Sequence, residues 1–201
     1  MNDESIFRLL FIAIFVLSFS ISVYHRHRAR KQSGKIPRQA EGKLFIALRL
    51  LLALPLYLAM FAYMINPQWM AWSALALPMW LRWLGAGLGF AMIPLLYWLF
   101  HSLGKNVSET VLTKERHELV TDGPYHWIRH PLYTVASIII FALSLLAANW
   151  FMLLIILLIM MMLPALAAKE EAQLIEKFGN AYREYMQRTG RFLPRVSSLK
   201  H

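Results

Sequence analysis

Five long apolar runs, Ile6–Tyr24, Leu44–Ile65, Pro78–Phe100, Leu132–Ala147 and Trp150–Ala168, leave few folds open to this chain. A spanning helix needs about 20 predominantly apolar residues, and each run is near that length or toward its lower limit. With 58% hydrophobic and only 16% charged residues over 201 positions, the chain carries too little charge for a soluble domain. It reads as an all-α, polytopic integral membrane protein of about five transmembrane helices. The net charge of +10 would point to nucleic acid in a soluble chain. Here the basic residues cluster beside apolar runs, where they act as topology and lipid-surface signals, which argues against nucleic acid. No cysteine is present, so disulfides and thiolate metal sites are excluded. The first run is longer than a signal-peptide core and follows Asp3 and Glu4 rather than basic residues, so it reads as a retained anchor.

Loop charges give an orientation. His25–Lys43 holds Arg26, Arg28, Arg30, Lys31, Lys35, Arg38 and Lys43 against Glu41 alone. By the positive-inside rule this loop is cytoplasmic and the N-terminus outside; a lipid-headgroup site is the rarer meaning of such a run. Asn66–Leu77 is uncharged and carries Trp69 and Trp72, as a loop at the opposite interface should. Pro55 is tolerable within the second run because neighbouring helices absorb a kink. Arg8 and Arg82, near span ends, are expected to snorkel to the interface. Gly85, Gly87 and Gly89 lack the strand and spacing of a nucleotide fingerprint. The Gly85/Gly89 pair instead predicts close helix packing. Little more than Ala148 and Asn149 separates the last two runs, predicting a tight hairpin whose first helix begins near Trp127 or Ile128.

After Lys169 the chain returns to the cytoplasm. Leu174, Phe178, Tyr182 and Tyr185 recur at helical spacing and predict an amphipathic helix, in which Gly179 implies a kink or a close contact. Arg183, Arg188, Arg191 and Arg195 fit a cytoplasmic C-terminus. The organisation expected is an N-terminal three-helix membrane region, 1–105, and a C-terminal region, 106–201, integrated into one domain.

Most chemically capable side chains fall between Arg116 and Tyr133, reading RHELVTDGPYHWIRHPLY. This segment enters the final hairpin, and Glu170 and Glu171 leave it, so the hairpin's two cytoplasmic ends must be neighbours. Arg129, His130 and His117 would meet two carboxylates there. That set suits a zwitterionic amino-acid ligand, because arginine clamps a carboxylate by two parallel bonds and a carboxylate accepts from an ammonium. An interfacial ion-pair network is the plain alternative.

His117, Leu119, Val120, Gly123, Pro124, Tyr125, Arg129, His130, Pro131 and Tyr133, followed by Glu170, Glu171, Leu174, Phe178, Gly179, Tyr182 and Tyr185, resemble the pattern of the isoprenylcysteine carboxyl methyltransferase and phospholipid methyltransferase superfamily. The resemblance runs from about Asn106 to Pro194. It implies a helical membrane enzyme that uses S-adenosyl-L-methionine, held in a cytoplasmic pocket closed by the C-terminal helix, with no metal. His117, Leu119 and Val120 would line the adenosine part and Gly123, Pro124 and Tyr125 shape the turn. Arg129, His130 and Tyr133 would face the methionine end, with Glu170 and Glu171 near its amino group. Pro131 also suits a first helical turn on its own account.

Catalytic candidates are Arg129, Glu171 and Arg188, the last a possible clamp for an anionic acceptor and otherwise an exposed helix arginine. The implied acceptor is lipophilic, an isoprenylcysteine-like carboxylate or a lipid headgroup, entering from the bilayer. Val135 stands where the family usually has glycine, so the helix is expected to pass its neighbour at a different spacing. Ala165–Lys169 lacks the arginine of the prenylcysteine enzymes. An NADPH-dependent sterol-type reductase shares the RHPxY hairpin but tends to have asparagine where this chain has Leu132. A histidine-bound metal oxidase built on His126 and His130 is disfavoured because Pro131 interrupts a helix there.

Overall fold

The computed structural model describes residues 3–33, 43–104 and 119–195. Six α-helices carry the described chain: α1 (Asp3–Ser33), α2 (Lys43–Ile65), α3 (Met79–Leu103), α4 (Pro131–Leu146), α5 (Trp150–Phe178) and α6 (Asn180–Arg188). Short 3₁₀ turns cover Pro67–Ser73 and Gly123–His126, and among the described residues extended pairing is confined to two isolated bridges, Ala74 with Asn149 and Ile128 with Gly190. The all-α expectation holds. Three helices, α1, α3 and α5, are long and apolar enough to cross a membrane, while Leu50–Ile65 and Pro131–Leu146 are shorter apolar helices.

Several boundaries differ from the sequence reading. α1 runs on through His25 to Ser33, so the basic stretch begins as helix rather than loop. Arginine and lysine are good helix formers, and a helix already nucleated in an apolar span propagates through them. α4 starts at Pro131, not at Trp127 or Ile128. Proline fixes φ and lacks an N–H, which suits the first turn, and Ile128 is already engaged with Gly190. The helical tail also has a sharper break than a kink. Gly179 has φ +57° with nothing within 4 Å of where a Cβ would lie, so it ends α5 by conformation rather than by close contact.

The described residues sort into two compact units. The first comprises Met1–Ser20, Lys43–Pro94 and Ala136–Met162. Its core holds Phe7, Phe11, Ile14, Leu143, Leu146, Met152 and Ile156, all nearly inaccessible. Gly85 and Gly89 allow the predicted close packing, but against two different helices: a Cβ on Gly85 would lie 2.8 Å from the Ala142 carbonyl oxygen of α4, and one on Gly89 2.6 Å from Ile14 Cδ1 of α1. Arg8 and Arg82, both near span ends, engage the ends of other helices. Arg8 donates to the terminal carbonyls of α2, Met64 (2.9 and 2.6 Å) and Ile65 (2.5 Å). Arg82 donates to Leu146 O at the end of α4 (2.9 and 2.7 Å), pairs with Glu4 at 2.8 Å and lies 4.1 Å over the Phe7 ring. Both settle there because the last turn of a helix leaves carbonyls unpaired, and a guanidinium satisfies several at once with favourable charge. Asn149 closes the predicted hairpin: its Oδ1 accepts from Met152 N at 3.0 Å, its Nδ2 donates to Ser73 Oγ at 2.6 Å, and Ala148 takes a left-handed φ of 46°.

The second unit comprises Ile21–Gly42, Leu95–Val135 and Leu163–His201. Leu99, Phe100, Tyr125, Ala167, Tyr182 and Tyr185 are buried in it, and so is Val135 at the family's glycine position. Polar side chains are buried here too: His25, His130, Glu171 and Thr189.

Candidate active site

The approach to α4 is shaped by a glycine and two tyrosines. Gly123 adopts φ +60°, and a Cβ there would lie 2.5 Å from Ser102 Oγ and 3.3 Å from Trp98 Nε1 on α3. Only glycine fits this turn without displacement. The following 3₁₀ turn buries Pro124 and Tyr125, and Tyr185 on α6 donates its hydroxyl to Tyr125 O at 2.6 Å. Burial pushes the hydroxyl pKa values of Tyr125, Tyr182 and Tyr185 upward, so all three are neutral walls.

Past α6 the chain turns back and pairs with the RHP segment. Gly190 N donates to Trp127 O (3.1 Å), Arg129 N to Gly190 O (2.8 Å) and His130 N to Arg191 O (3.0 Å). Thr134 Oγ1 extends the seam to Phe192 O at 2.9 Å. These bonds satisfy backbone groups that precede a helix and would otherwise be buried unpaired. They also bring Arg191 beside Arg129.

Glu171 is the hub of the charge cluster. Its Oε1 accepts from Arg129 Nε at 2.9 Å and Arg191 Nε at 3.2 Å, and its Oε2 from Arg191 Nη2 at 2.5 Å. Arg129 Nη1 also donates to Met186 O at 3.0 Å and to Thr189 O. The Arg129 and Glu171 side chains are 7% and 3% exposed, so this pair is effectively out of water. His130 bridges both glutamates, with Nε2 3.3 Å from Glu171 and Nδ1 3.4 Å from Glu170. Two ring nitrogens facing two carboxylates call for two N–H donors, the imidazolium form. Burial opposes that charge, but the hydrogen bonds and negative potential of Glu170 and Glu171 outweigh it and hold the His130 pKa above its ordinary value. Glu170, 28% exposed, accepts in addition from the Tyr133 hydroxyl at 3.0 Å, and the Tyr133 ring stacks on His130 at 5.5 Å.

Arg129, His130, Tyr133, Glu170 and Glu171 are thus assembled as the hairpin argument required, and Gly123, Pro124 and Tyr125 form the adjoining turn. Leu119 and Val120 are half-buried just before it. His117 lies outside the described residues. Arg188 is exposed on the last turn of α6, whereas Arg191, three residues on, enters the cluster. In the sequence Arg191 looks like one more tail cation. The signal that could have singled it out is Gly190 before it, where a Cβ would lie 1.7 Å from Leu193 O.

Residues 85–176 match the family described as the isoprenylcysteine carboxyl methyltransferase (ICMT) family. The solved structure of a eukaryotic intramembrane Ras methyltransferase, ICMT, is similar at a TM-score of 0.57 and 21% identity, covering 93% of this chain and 68% of that one. The family match spans a little under half of the chain, and the structural likeness, at 21% identity, is one of fold. The matched residues contain both halves of the cluster, RHPLY at 129–133 and Glu170–Glu171; Arg191 lies beyond them. No curated protein matches the chain in sequence. The ICMT likeness and the apolar helices make this an integral membrane protein with an ICMT-like fold.

Proposed function

We propose that this protein is an S-adenosyl-L-methionine-dependent membrane methyltransferase acting on a lipophilic acceptor at the cytoplasmic face, the acceptor being an isoprenylcysteine-like carboxylate or a lipid headgroup. The observation that carries the reading is the Arg129–His130–Glu170–Glu171 cluster, in a sequence region that matches the ICMT family.

The donor set fits the methionine end of such a cofactor. Arg129 engages protein through Nε and Nη1, which leaves Nη2 for a ligand carboxylate. Glu170 is the more accessible carboxylate and the natural partner of a ligand ammonium. Glu171, gripped from three sides, orients Arg129 and His130, so its part is positioning. The buried tyrosines 125, 182 and 185 exclude water, and Gly123 permits a close backbone approach. When bound, S-adenosylmethionine supplies a methyl carbon activated by its sulfonium. The protein's task is then to hold the acceptor in line and keep water out; alignment alone accounts for several kcal/mol of such barriers. A carboxylate acceptor needs no base. For an amine or hydroxyl, Glu170 is placed to take the proton.

The test is isothermal titration of purified protein with S-adenosylhomocysteine and with NADPH. Saturable binding of the first, abolished in Arg129→Ala and Glu170→Ala, supports the methyltransferase; saturation by NADPH alone would replace it with the reductase. Labelled methyl donor and lipid extracts then identify the acceptor.

A further inference from the structure

The methionine end of S-adenosylmethionine, as proposed above, takes up Arg129 and Glu170 and leaves Arg191 unused. Arg191 approaches Glu171 along one edge of its guanidinium, with Nε 3.2 Å from Oε1 and Nη2 2.5 Å from Oε2. Its third nitrogen, Nη1, makes no hydrogen bond among the described residues and is not one of the buried polar atoms without a partner, so it opens to the outside. The side chain as a whole is 38% exposed, against 3% for the carboxylate it grips. One edge of the guanidinium is therefore fixed from behind by Glu171, and the opposite corner is within reach of a ligand.

Charge indicates what that ligand carries. Arg129, Arg191 and His130 as imidazolium set three positive charges against the two carboxylates of Glu170 and Glu171. A zwitterionic amino-acid end leaves this surplus of one unchanged, and a sulfonium adds a second positive charge. Excess charge in a partly buried site is costly until a counter-ion joins it. A guanidinium with an open N–H corner is suited to a carboxylate or phosphate oxygen. Arg188 stays exposed at the end of α6, so the tail cation placed to do this is Arg191. A mere strut for Glu171 Oε2 needs only the bonded edge, and lysine would also serve; the open Nη1 corner is what that role leaves unexplained.

We propose that Arg191 is a specificity-determining residue for the methyl acceptor, its free corner binding the negative charge of a lipid carboxylate or of a headgroup phosphate while Glu171 holds its other edge. The inference rests on the methyltransferase reading and narrows it: the acceptor carries an anionic group, and a neutral lipid alcohol is excluded.

The experiment is equilibrium binding to the full chain in detergent, saturated with S-adenosylhomocysteine, of two anion-bearing probes and their neutral counterparts. N-acetyl-S-farnesylcysteine is compared with its methyl ester, and dioleoylphosphatidylethanolamine with dioleoylglycerol. The wild type is expected to bind at least one anion-bearing probe about tenfold more tightly than its counterpart, the worth of a charge-assisted hydrogen bond. Which pair shows the difference identifies a carboxylate or a phosphate. Arg191→Gln is expected to erase the difference while S-adenosylhomocysteine binding stays within about twofold. Arg191→Lys, which can hold Glu171 but lacks the planar fork, should recover only part of it. Thermal unfolding verifies folding, and the partial loss in Arg191→Lys carries the test should Arg191→Gln not fold. Equal binding within both pairs by the wild type overturns the proposal, as does a preference that survives in Arg191→Gln. Weakening of S-adenosylhomocysteine in step with the acceptor probe also overturns it, since Arg191 is then a strut for Glu171. A wild type that binds no S-adenosylhomocysteine refutes the methyltransferase reading itself, and this inference with it.

Discussion

Replacing Glu171 with glutamine keeps the side chain's shape and one acceptor but removes the charge that two guanidiniums and an imidazole share. Breaking a buried ion pair by removing one partner costs about 3–5 kcal/mol, because the remaining charge is stranded. Two features of the site place Glu171→Gln at the low end of that range. Arg129 keeps the Met186 and Thr189 carbonyls, and Arg191, 38% exposed, returns to water at a cost below about 1 kcal/mol. The expected loss is therefore about 3 kcal/mol, or roughly 6–12 °C in unfolding temperature for a chain of this size. Tryptophan fluorescence in detergent is a suitable readout, since Trp98 and Trp127 lie 6.1 Å apart in the same unit. Arg191→Gln serves as the exposed control and should cost less than about 1 kcal/mol. Arg129→Met combined with Glu171→Gln should cost less than the two separately, because an apolar side chain in place of the stranded cation relieves the desolvation. A Glu171→Gln shift below about 2 °C, or strict additivity in the double variant, would show that this cluster is solvated and does not organise the site.

Three further outcomes follow from the same geometry. Raising the pH should loosen the site: His130 has a folded pKa raised above its ordinary 6.5, so its contribution is fully present below that value and is lost as the pH climbs through the raised one. A plot of unfolding temperature against pH should fall over that window in the wild type and flatten in His130→Gln. Gly190→Ala puts a Cβ 1.7 Å from a backbone oxygen, so it should detach the return segment and unseat Arg191, visible as faster amide exchange at Arg129 and His130; unchanged exchange counts against the seam. Gly123→Ala combines a positive φ with a clash against Ser102 Oγ, and Ser102→Gly should recover only the clash, leaving about 1 kcal/mol of backbone strain in thermal unfolding.

Much of this was legible in the residues themselves. Apolar run length dictates helices, because lipid offers the backbone no other hydrogen-bond partners. Adjacent runs joined by Ala148 and Asn149 force a hairpin, and a hairpin necessarily returns Glu170 and Glu171 to the level of Arg129. Gly179 signals a disturbance of the tail helix, but that its positive φ ends α5 outright is seen only in the fold. Partner choice at long range is another matter. Arg8 and Arg82 are recognisable as span-end cations, but that each caps the carbonyls of another helix is decided by which helix end packs beside them. Arg191 is indistinguishable from its neighbours in the tail until the chain turns at Gly190 and pairs with Trp127, Arg129 and His130. Local pattern fixes which segments are helical and which ends meet; the direction each long, charged side chain takes depends on unpaired groups supplied by segments distant in sequence, and only the tertiary structure brings those within reach.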